Sequence, residues 1–548
     1  MRDRPLPASA PAPAVPVLIV GGGPTGLCLA IDLGRRGVEC LLVEEREEVS
    51  LAGRKANGCS VRSFEHFRRW GIADRLRRVA PLPADYSDDV VFLTRMTGHL
   101  LAEFRGAKHG IGRSDLFAEN FQRIPQAVVE RELRAVLTEL PTVRTWYGWS
   151  FEDLQQDEDG VRALIRDTAG RESRWISCSY LVGCEGSKGG VRDAAGIGLT
   201  DERVLSANAN ITFRSPELAD LHDKGRAAHY WIVNPDVTGL LSPRDLTGTW
   251  TFMATYLPGD GHADARALIR HAVGRDFAFE VGAWGPWWAN THLAERHRRG
   301  RVFLAGDTVH VHPPSGGHGM NQGVQDAADL GWKLAGVLHG WAGPALLDSY
   351  EAERRPVNQA VIASAVNNWT TCGPAFVRPG IEEDPAVRHG LREEILREKR
   401  KQFDALGLIL GYRYENSPVI AYDGPPAPPL EITRYVPTSR PGHRAPHAWL
   451  ADGSSLFDHF GPGFTLLRTG GPGGAPGTGT MLRSARERGI PLRLLDLEHE
   501  APVHAAYGAG FALVRPDQHI AWRGTAPPGD PGVLLDVVRG AAPVEVLA

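Results

Sequence analysis

Apolar positions along the chain follow three different periods, and these divide it into regions. Val15 to Val20 (VPVLIV) and Cys40 to Val43 are short unbroken apolar runs, the pattern of strands buried on both faces. The stretch between them, Leu27 to Gly37, has helical spacing. A similar run, Val302-Phe303-Leu304-Ala305, lies far downstream and leads through a Pro/Gly-rich loop into a helix predicted from Met320 through Leu338. Between these ends, residues 208–260 alternate and are rich in aromatics (ANITFR, HYWIVNP, GLLSP, TWTFMATYLP), which predicts a β-sheet with short turns.

Beyond Leu410 a Pro-rich stretch from Gly424 to Arg444 reads as a linker, and strand and helix patterns of a small α/β unit lie beyond it. The expected layout has a discontinuous unit of residues 15–200 and 291–370, with a β-sheet unit, 201–290, inserted in it. A helical connector and linker, 371–430, leads to a C-terminal unit, 431–548. Residues 1–14 are Pro/Ala-rich without an apolar core segment and read as a disordered tail, not a signal peptide.

The first strand runs directly into Gly21-Gly22-Gly23-Pro24-Thr25-Gly26, and the second ends at Glu44. Strand, G-x-G-x-x-G, helix, strand, acid is the order of a ribose-binding βαβ unit. Gly21 permits the tight turn, Gly23 lets backbone approach a pyrophosphate, and Gly26 lets helix and strand pack closely. The helix N-terminus at Pro24 offers free N–H groups to phosphates. Glu44 can accept from ribose hydroxyls and would repel a 2′-phosphate, which favours FAD or NAD over NADP here. GIGRSD at Gly110 and GGPGGAPG at Gly470 lack the third glycine or the flanking strand, so a nicotinamide donor has no fingerprint of its own.

Composition narrows the picture only slightly. With 548 residues, 42% hydrophobic and 23% charged, the chain is an ordinary globular protein of several domains. A net charge of -4 gives no electrostatic reason to expect nucleic acid or an anionic membrane as partner. Six cysteines without a CxxC suggest free thiols in a reducing cytoplasm.

The downstream loop carries more information. Asp307 ends a strand, where it can accept from a polyol such as ribityl. Pro313-Pro314 stiffens the loop, and Ser315-Gly316-Gly317-His318-Gly319 strips it of most side chains, so backbone can meet a flat ligand. The helix beginning at Met320-Asn321 would point its positive end at the negative N1–C2=O edge of a reduced flavin.

This passage resembles the second FAD motif of the single-component, group A flavoprotein aromatic hydroxylases, in the branch of phenol, chlorophenol and aromatic polyketide hydroxylases. The resemblance extends to Gln126 in RIPQAVVERELRAVL, to LVGCEGSKGGVR from Leu181 and to LLDSYEAERRPV from Leu346. It implies a Rossmann-like α/β FAD-binding domain, an inserted β-sheet substrate domain and a thioredoxin-like C-terminal domain. No cysteine occurs after Cys372, so thiol–disulfide exchange is excluded there; packing or dimerisation is the more plausible use.

Carried over by residue, the resemblance puts Glu44 on the adenosine ribose and Lys55 and Arg62 near the cofactor. Gln126 reaches the ribityl or phosphate region, and Asp307 a ribityl hydroxyl. The Pro314 backbone lies at the flavin's reactive edge, and Met320 and Asn321 offer backbone N–H groups to the pyrimidine end. Gly317 and Gly319 allow the close approach. Three positions depart from the family: Glu185-Gly186 replaces Asp-Gly, Lys55 replaces the commoner Arg, and Asn57 replaces an aspartate near the substrate. An amide cannot act as a base, so the proton acceptor is unassigned. His229, Tyr230, Trp231, Trp250 and Met253 are candidates for the pocket wall.

Competing readings are less well supported. His310, His312 and His318 lack a carboxylate or cysteine to complete a metal set. No serine sits in G-x-S-x-G, and the W-x-W-x-I-P signature of flavin halogenases is absent. The expected activity is NAD(P)H- and O2-dependent hydroxylation of a small phenolic or polyketide-like aromatic through a flavin C4a-hydroperoxide. The alternatives are Baeyer–Villiger oxidation, epoxidation, or a non-catalytic flavoprotein that sequesters an aromatic ligand.

Overall fold

The computed structural model describes residues 14–50, 56–107, 109–259, 263–470, 477–508 and 510–547. Residues 1–13 of the expected tail and Lys55 lie outside these, while Ala14, expected to end the tail, opens the first strand. A mixed sheet contains five parallel strands in the order Val302–Leu304, Ser173–Gly183, Ala14–Val20, Cys40–Glu44 and Val143–Tyr147. Val20 pairs with both Val43 and Gly183, and Gly183 pairs with Leu304. The strands therefore end at one level. Gly21, Glu44, Glu185 and the Gly306-Asp307 pair arrive together at the carboxyl edge, where ligands of such sheets bind.

The Pro24–Arg35 helix packs on the Gly319–Leu338 helix, and the contact depends on missing side chains. A Cβ on Gly323 would stand 2.2 Å from Thr25 Oγ1, and one on Gly306, whose φ is +67°, would stand 2.5 Å from the same atom. Within the first motif, a Cβ on Gly26 would fall 2.0 Å from the Gly21 carbonyl oxygen. The two helix starts are thereby held side by side.

A second sheet of eight strands covers the crevice. It is wider than the 201–290 stretch expected, because Val90–Leu93 and Leu100–Phe104 add to one edge and His310–Val311 to the other. Val90–Leu93 pairs in parallel with His229–Val233, a long-range pairing that local alternation cannot reveal.

The C-terminal unit is a four-stranded sheet with helices Thr478–Glu487, Ala501–Tyr507 and Pro531–Val538, the thioredoxin-like arrangement expected. The Pro-rich 424–444 stretch is not a free tether. A Cβ on Gly407 would overlap the Glu431 carbonyl oxygen, and Arg444 is fully buried. No described helix is long and apolar enough to cross a membrane.

Buried charges fasten the C-terminal unit to the nucleotide-binding unit. Arg515 bonds Glu353 (2.5 and 2.8 Å), Asp329 (3.2 Å) and Asp517 (2.6 Å), while Lys333 bonds Asp329 (2.8 Å) and Glu353 (2.5 Å). The three carboxylates lie close enough to hold a cation, but Lys333 and Arg515 already supply that charge. Removing one member of a buried network leaves the others uncompensated. Glu353→Ala should cost about 3–5 kcal/mol, read as a fall in the thermal midpoint; an unchanged midpoint would refute the bracing role.

Candidate active site

One cavity of about 880 Å³ runs along the carboxyl edge of the first sheet and under the second. Gly21, Gly23, Pro24, Glu44, Gln126, Glu185, Asp307, Pro314, Gly317, Gly319, Met320 and Asn321 all line it, so the two glycine elements share one space. Gly26 is not on the wall; it lies beneath, packed against Gly21. At Gly23 a Cβ would meet nothing within 4 Å, which leaves open space over the helix start.

Glu44 Oε2 accepts from the Gly22 amide at 2.7 Å, and Oε1 accepts from the Arg46 amide and guanidinium at 3.2 and 2.9 Å. Burial raises its pKa, but the hydrogen bonds from Arg46 and Gly22 outweigh this and hold it below the ordinary carboxylate range. It stands ionised at the end of the strand with acceptor capacity left for ribose.

The side chain of Asn321 has a use besides the backbone role expected of it. Its Oδ1 accepts from the Ser60 amide (2.8 Å) and Ser63 Oγ (2.7 Å), and its Nδ2 donates to the Gly317 carbonyl (2.7 Å). The side chain ties two loops together. No side chain caps the Gly319–Leu338 helix, so its first-turn N–H groups face the cavity. Behind the loop, Asp326 accepts from the Gly306 amide (3.0 Å), from His310 (2.9 Å) and from Arg354 (2.8 Å). The Pro314 carbonyl accepts from the Gly317 amide at 2.9 Å, which closes the turn over the site.

The wall formed by the second sheet follows the period of two. His229, Trp231, Leu240, Ser242, Thr251, Met253 and Asn210 face the cavity. The register places Trp231, Leu240, Met253 and Asn210 in one row, and Ser242 with Thr251 in the next. Tyr230 and Trp250 were expected on this wall and are not there. Each falls on the opposite parity, where they contact one another in the core beneath the Ala265–Val273 helix.

Arg62 is a second correction. It does not reach the cavity; its guanidinium bonds Glu65 (3.1 Å), Gln518 (2.5 Å) and the Asp517 carbonyl (2.8 Å), fully buried against the C-terminal unit. Asn57 does line the cavity, and its Oδ1 accepts from Arg244. Gln126 bonds Glu130 (2.6 Å) at the cavity's margin.

Several wall residues were missed by the sequence reading. His312 Nδ1 meets the Pro313 carbonyl at 2.8 Å and so carries the hydrogen, leaving Nε2 as a bare acceptor. Burial pushes its pKa down to about 4, so the ring is neutral and a weak base. Trp287, Gln402 and Phe403 also line the cavity, Trp287 and Phe403 packing in one apolar cluster. Gln402 and Phe403 sit on the Pro385–Phe403 helix, whose strongly charged pattern hid its one cavity-facing end.

These features fit FAD: a cradle without side chains, two uncapped helix starts and an acid beside each. The chain belongs to the FAD-dependent aromatic-ring hydroxylases. Its residues 14–365 match the family described as FAD binding domain, and 438–541 that described as aromatic-ring hydroxylase, C-terminal. A putative polyketide hydroxylase of Streptomyces halstedii is 33% identical, over 94% of both chains. The solved structure of chromopyrrolic acid-soaked RebC with bound 7-carboxy-K252c is 35% identical at a TM-score of 0.89, covering 97% of this chain and 100% of that one. A ternary complex of aklavinone-11 hydroxylase with FAD and aklavinone is 29% identical at a TM-score of 0.80, covering 96% and 99%. The protein is an FAD-dependent monooxygenase.

Glu185, the departure from Asp-Gly, accepts from the Val191 amide at 2.5 Å through Oε1, while Oε2 meets no partner among the described residues. Burial raises its pKa from an ordinary 4.5 to about 7. A carboxyl raised on folding binds more protons folded than unfolded, so stability should fall as pH rises between those values. Glu185→Gln keeps the acceptor and removes the titration. The variant's midpoint relative to wild type should then rise across that window, to a gain at pH 8 of at most about 3 kcal/mol. An unaltered pH profile would count against this assignment.

Proposed function

We propose that the protein uses NAD(P)H and O2 to hydroxylate an electron-rich aromatic ring, phenolic or polyketide-like, in the cytoplasm. The observation that carries this is the make-up of the cavity. The glycine elements on its lining would cradle a flavin, and Trp231, Leu240, Met253, Trp287 and Phe403, which pack in one apolar cluster, give it an apolar wall for a ring. The bound cofactor would supply hydride acceptance and oxygen activation.

The chain's residues do the remaining work. Glu44 and Asp307 hold hydroxyls of the cofactor, and the uncapped Gly319–Leu338 helix stabilises negative charge at one of its edges. The Pro314–Gly317 turn and the second sheet keep water from the reacting ring, since a wet site would release hydrogen peroxide. Polycyclic aromatic substrates are favoured by the relatives' own names and ligands, a polyketide hydroxylase, 7-carboxy-K252c and aklavinone. The buried free cysteines are consistent with a reducing compartment.

The test is a panel of hydroxylated naphthalenes, anthraquinones and tetracyclic phenols. A true substrate should stimulate NAD(P)H oxidation and gain one ¹⁸O atom from ¹⁸O2. If ligands bind but no member of the panel gains oxygen, the sequestering alternative replaces this reading. Asp307→Ala should purify with flavin occupancy reduced at least roughly ten-fold, since it loses a charge-assisted hydrogen bond. Full flavin occupancy in that variant would remove Asp307 from the site.

A further inference from the structure

Lys399 is fully buried, and its ammonium donates to the Asn368 carbonyl at 2.6 Å and to Gln402 Oε1 at 2.8 Å. An ammonium has only hydrogens to give, so the atom of Gln402 that faces it must be the carbonyl oxygen. The orientation of the amide is thereby fixed by chemistry. Its NH2 group has no acceptor among the described residues, and Gln402 lines the cavity.

Two more donors on the cavity lining are themselves buried. The indole N–H groups of Trp231 and Trp287 are buried without an acceptor among the described residues, and both residues line the cavity. Trp231 is 2% exposed and is fixed by parallel stacking on Phe92, with ring centroids 5.9 Å apart. Trp231 and Phe403 belong to one apolar cluster, on which Trp287, Leu240 and Met253 also pack. Leaving a buried donor unmet costs about 1–3 kcal/mol, so this otherwise apolar wall is incomplete without acceptor oxygens. Asn210 Oδ1, in the same sheet row as Trp231, is the contrasting acceptor and suits a ligand O–H.

We propose that Gln402, held in orientation by Lys399, is a specificity-determining donor that, with the Trp231 and Trp287 indoles, selects aromatic substrates bearing a carbonyl-type oxygen at the end inserted under the Pro385–Phe403 helix. The ligand class is a fused-ring aryl ketone, quinone or aryl carboxylate, in contrast to a plain phenol. Gln402 is in this role a binding residue, and Lys399 a positioning residue that acts through it. The inference deepens the proposed aromatic hydroxylation and rests on that reading for the use of the cavity.

The test compares two ligands on the FAD-loaded enzyme, a hydroxyanthraquinone and the hydroxyanthracene that lacks its carbonyls, with Kd read from flavin absorbance changes. Wild type should prefer the quinone. Gln402→Glu keeps an oxygen for Lys399 and replaces the NH2 by a second acceptor, so the preference ratio should fall roughly ten-fold. Trp287→Phe, on a less buried residue, should lower the ratio in the same sense and serves if the first variant does not fold. Lys399→Met should lower it too, whereas loss of general stability alone would weaken both ligands equally. A ratio unchanged in Gln402→Glu, or in Trp287→Phe if that variant is the one measured, overturns the proposal. Because binding is read without turnover, a panel that never gains oxygen would sink the hydroxylation reading and leave this preference measurable.

Discussion

Thr25 stands where the two cofactor-facing segments meet, and the geometry of the site depends on that contact. The first helix can start beside the second only because Gly306 and Gly323 present no side chain to its hydroxyl. Any Cβ there would push the helix starts apart, and a shift of even one ångström matters when backbone N–H groups must meet a ligand directly. The strand register does the complementary work. By ending Ala14–Val20, Cys40–Glu44, Ser173–Gly183 and Val302–Leu304 at one level, it delivers Gly21, Glu44, Glu185 and Asp307 to a common edge. Close packing sets the separation of the two elements, and sheet register sets their height.

The charged residues around that contact serve a different purpose. Asp326 binds the Gly306 amide, His310 and Arg354, and so holds the cavity-lining loop from behind. One turn further along the same helix, Asp329 and Lys333 enter the network with Glu353, Arg515 and Asp517 that docks the C-terminal unit. A single helix thus carries the cofactor-facing N–H groups at its start, the loop brace next and the inter-domain brace after it. In a unit without cysteines, this docking gives the thioredoxin-like fold a mechanical use in place of a redox one.

Much of this was legible in the sequence, for reasons that differ from element to element. The two glycine elements were readable because their function is executed by backbone, and absent side chains leave a mark in the chain. The sheet is readable from alternation, but an aromatic-rich strand does not by itself tell wall from core: Tyr230 and Trp250 lie in the core although His229, Trp231 and Met253 occupy the other face. The resemblance implies a place near the cofactor for Arg62, whereas its partners Gln518 and Asp517 come from the far end of the chain, a contact no local pattern encodes. Gln402 leaves no mark in the sequence because the helix that carries it is strongly charged, and only tertiary packing buries its last turn.

That last turn bears on how one scaffold takes different substrates. The edge carrying the two glycine elements is largely backbone with the acids Glu44, Glu185 and Asp307, whereas the apolar part of the cavity is made of side chains from three separate segments. Trp231 comes from a sheet strand, Trp287 from the long Glu280–Ala294 strand, and Gln402 from the connector helix. A change in any one alters which oxygen is received without touching Thr25, Gly306 or Asp307. Chemistry and selectivity are thus built from different parts of the fold, so the substrate must be read from the donors of that apolar part and not from the cofactor motifs.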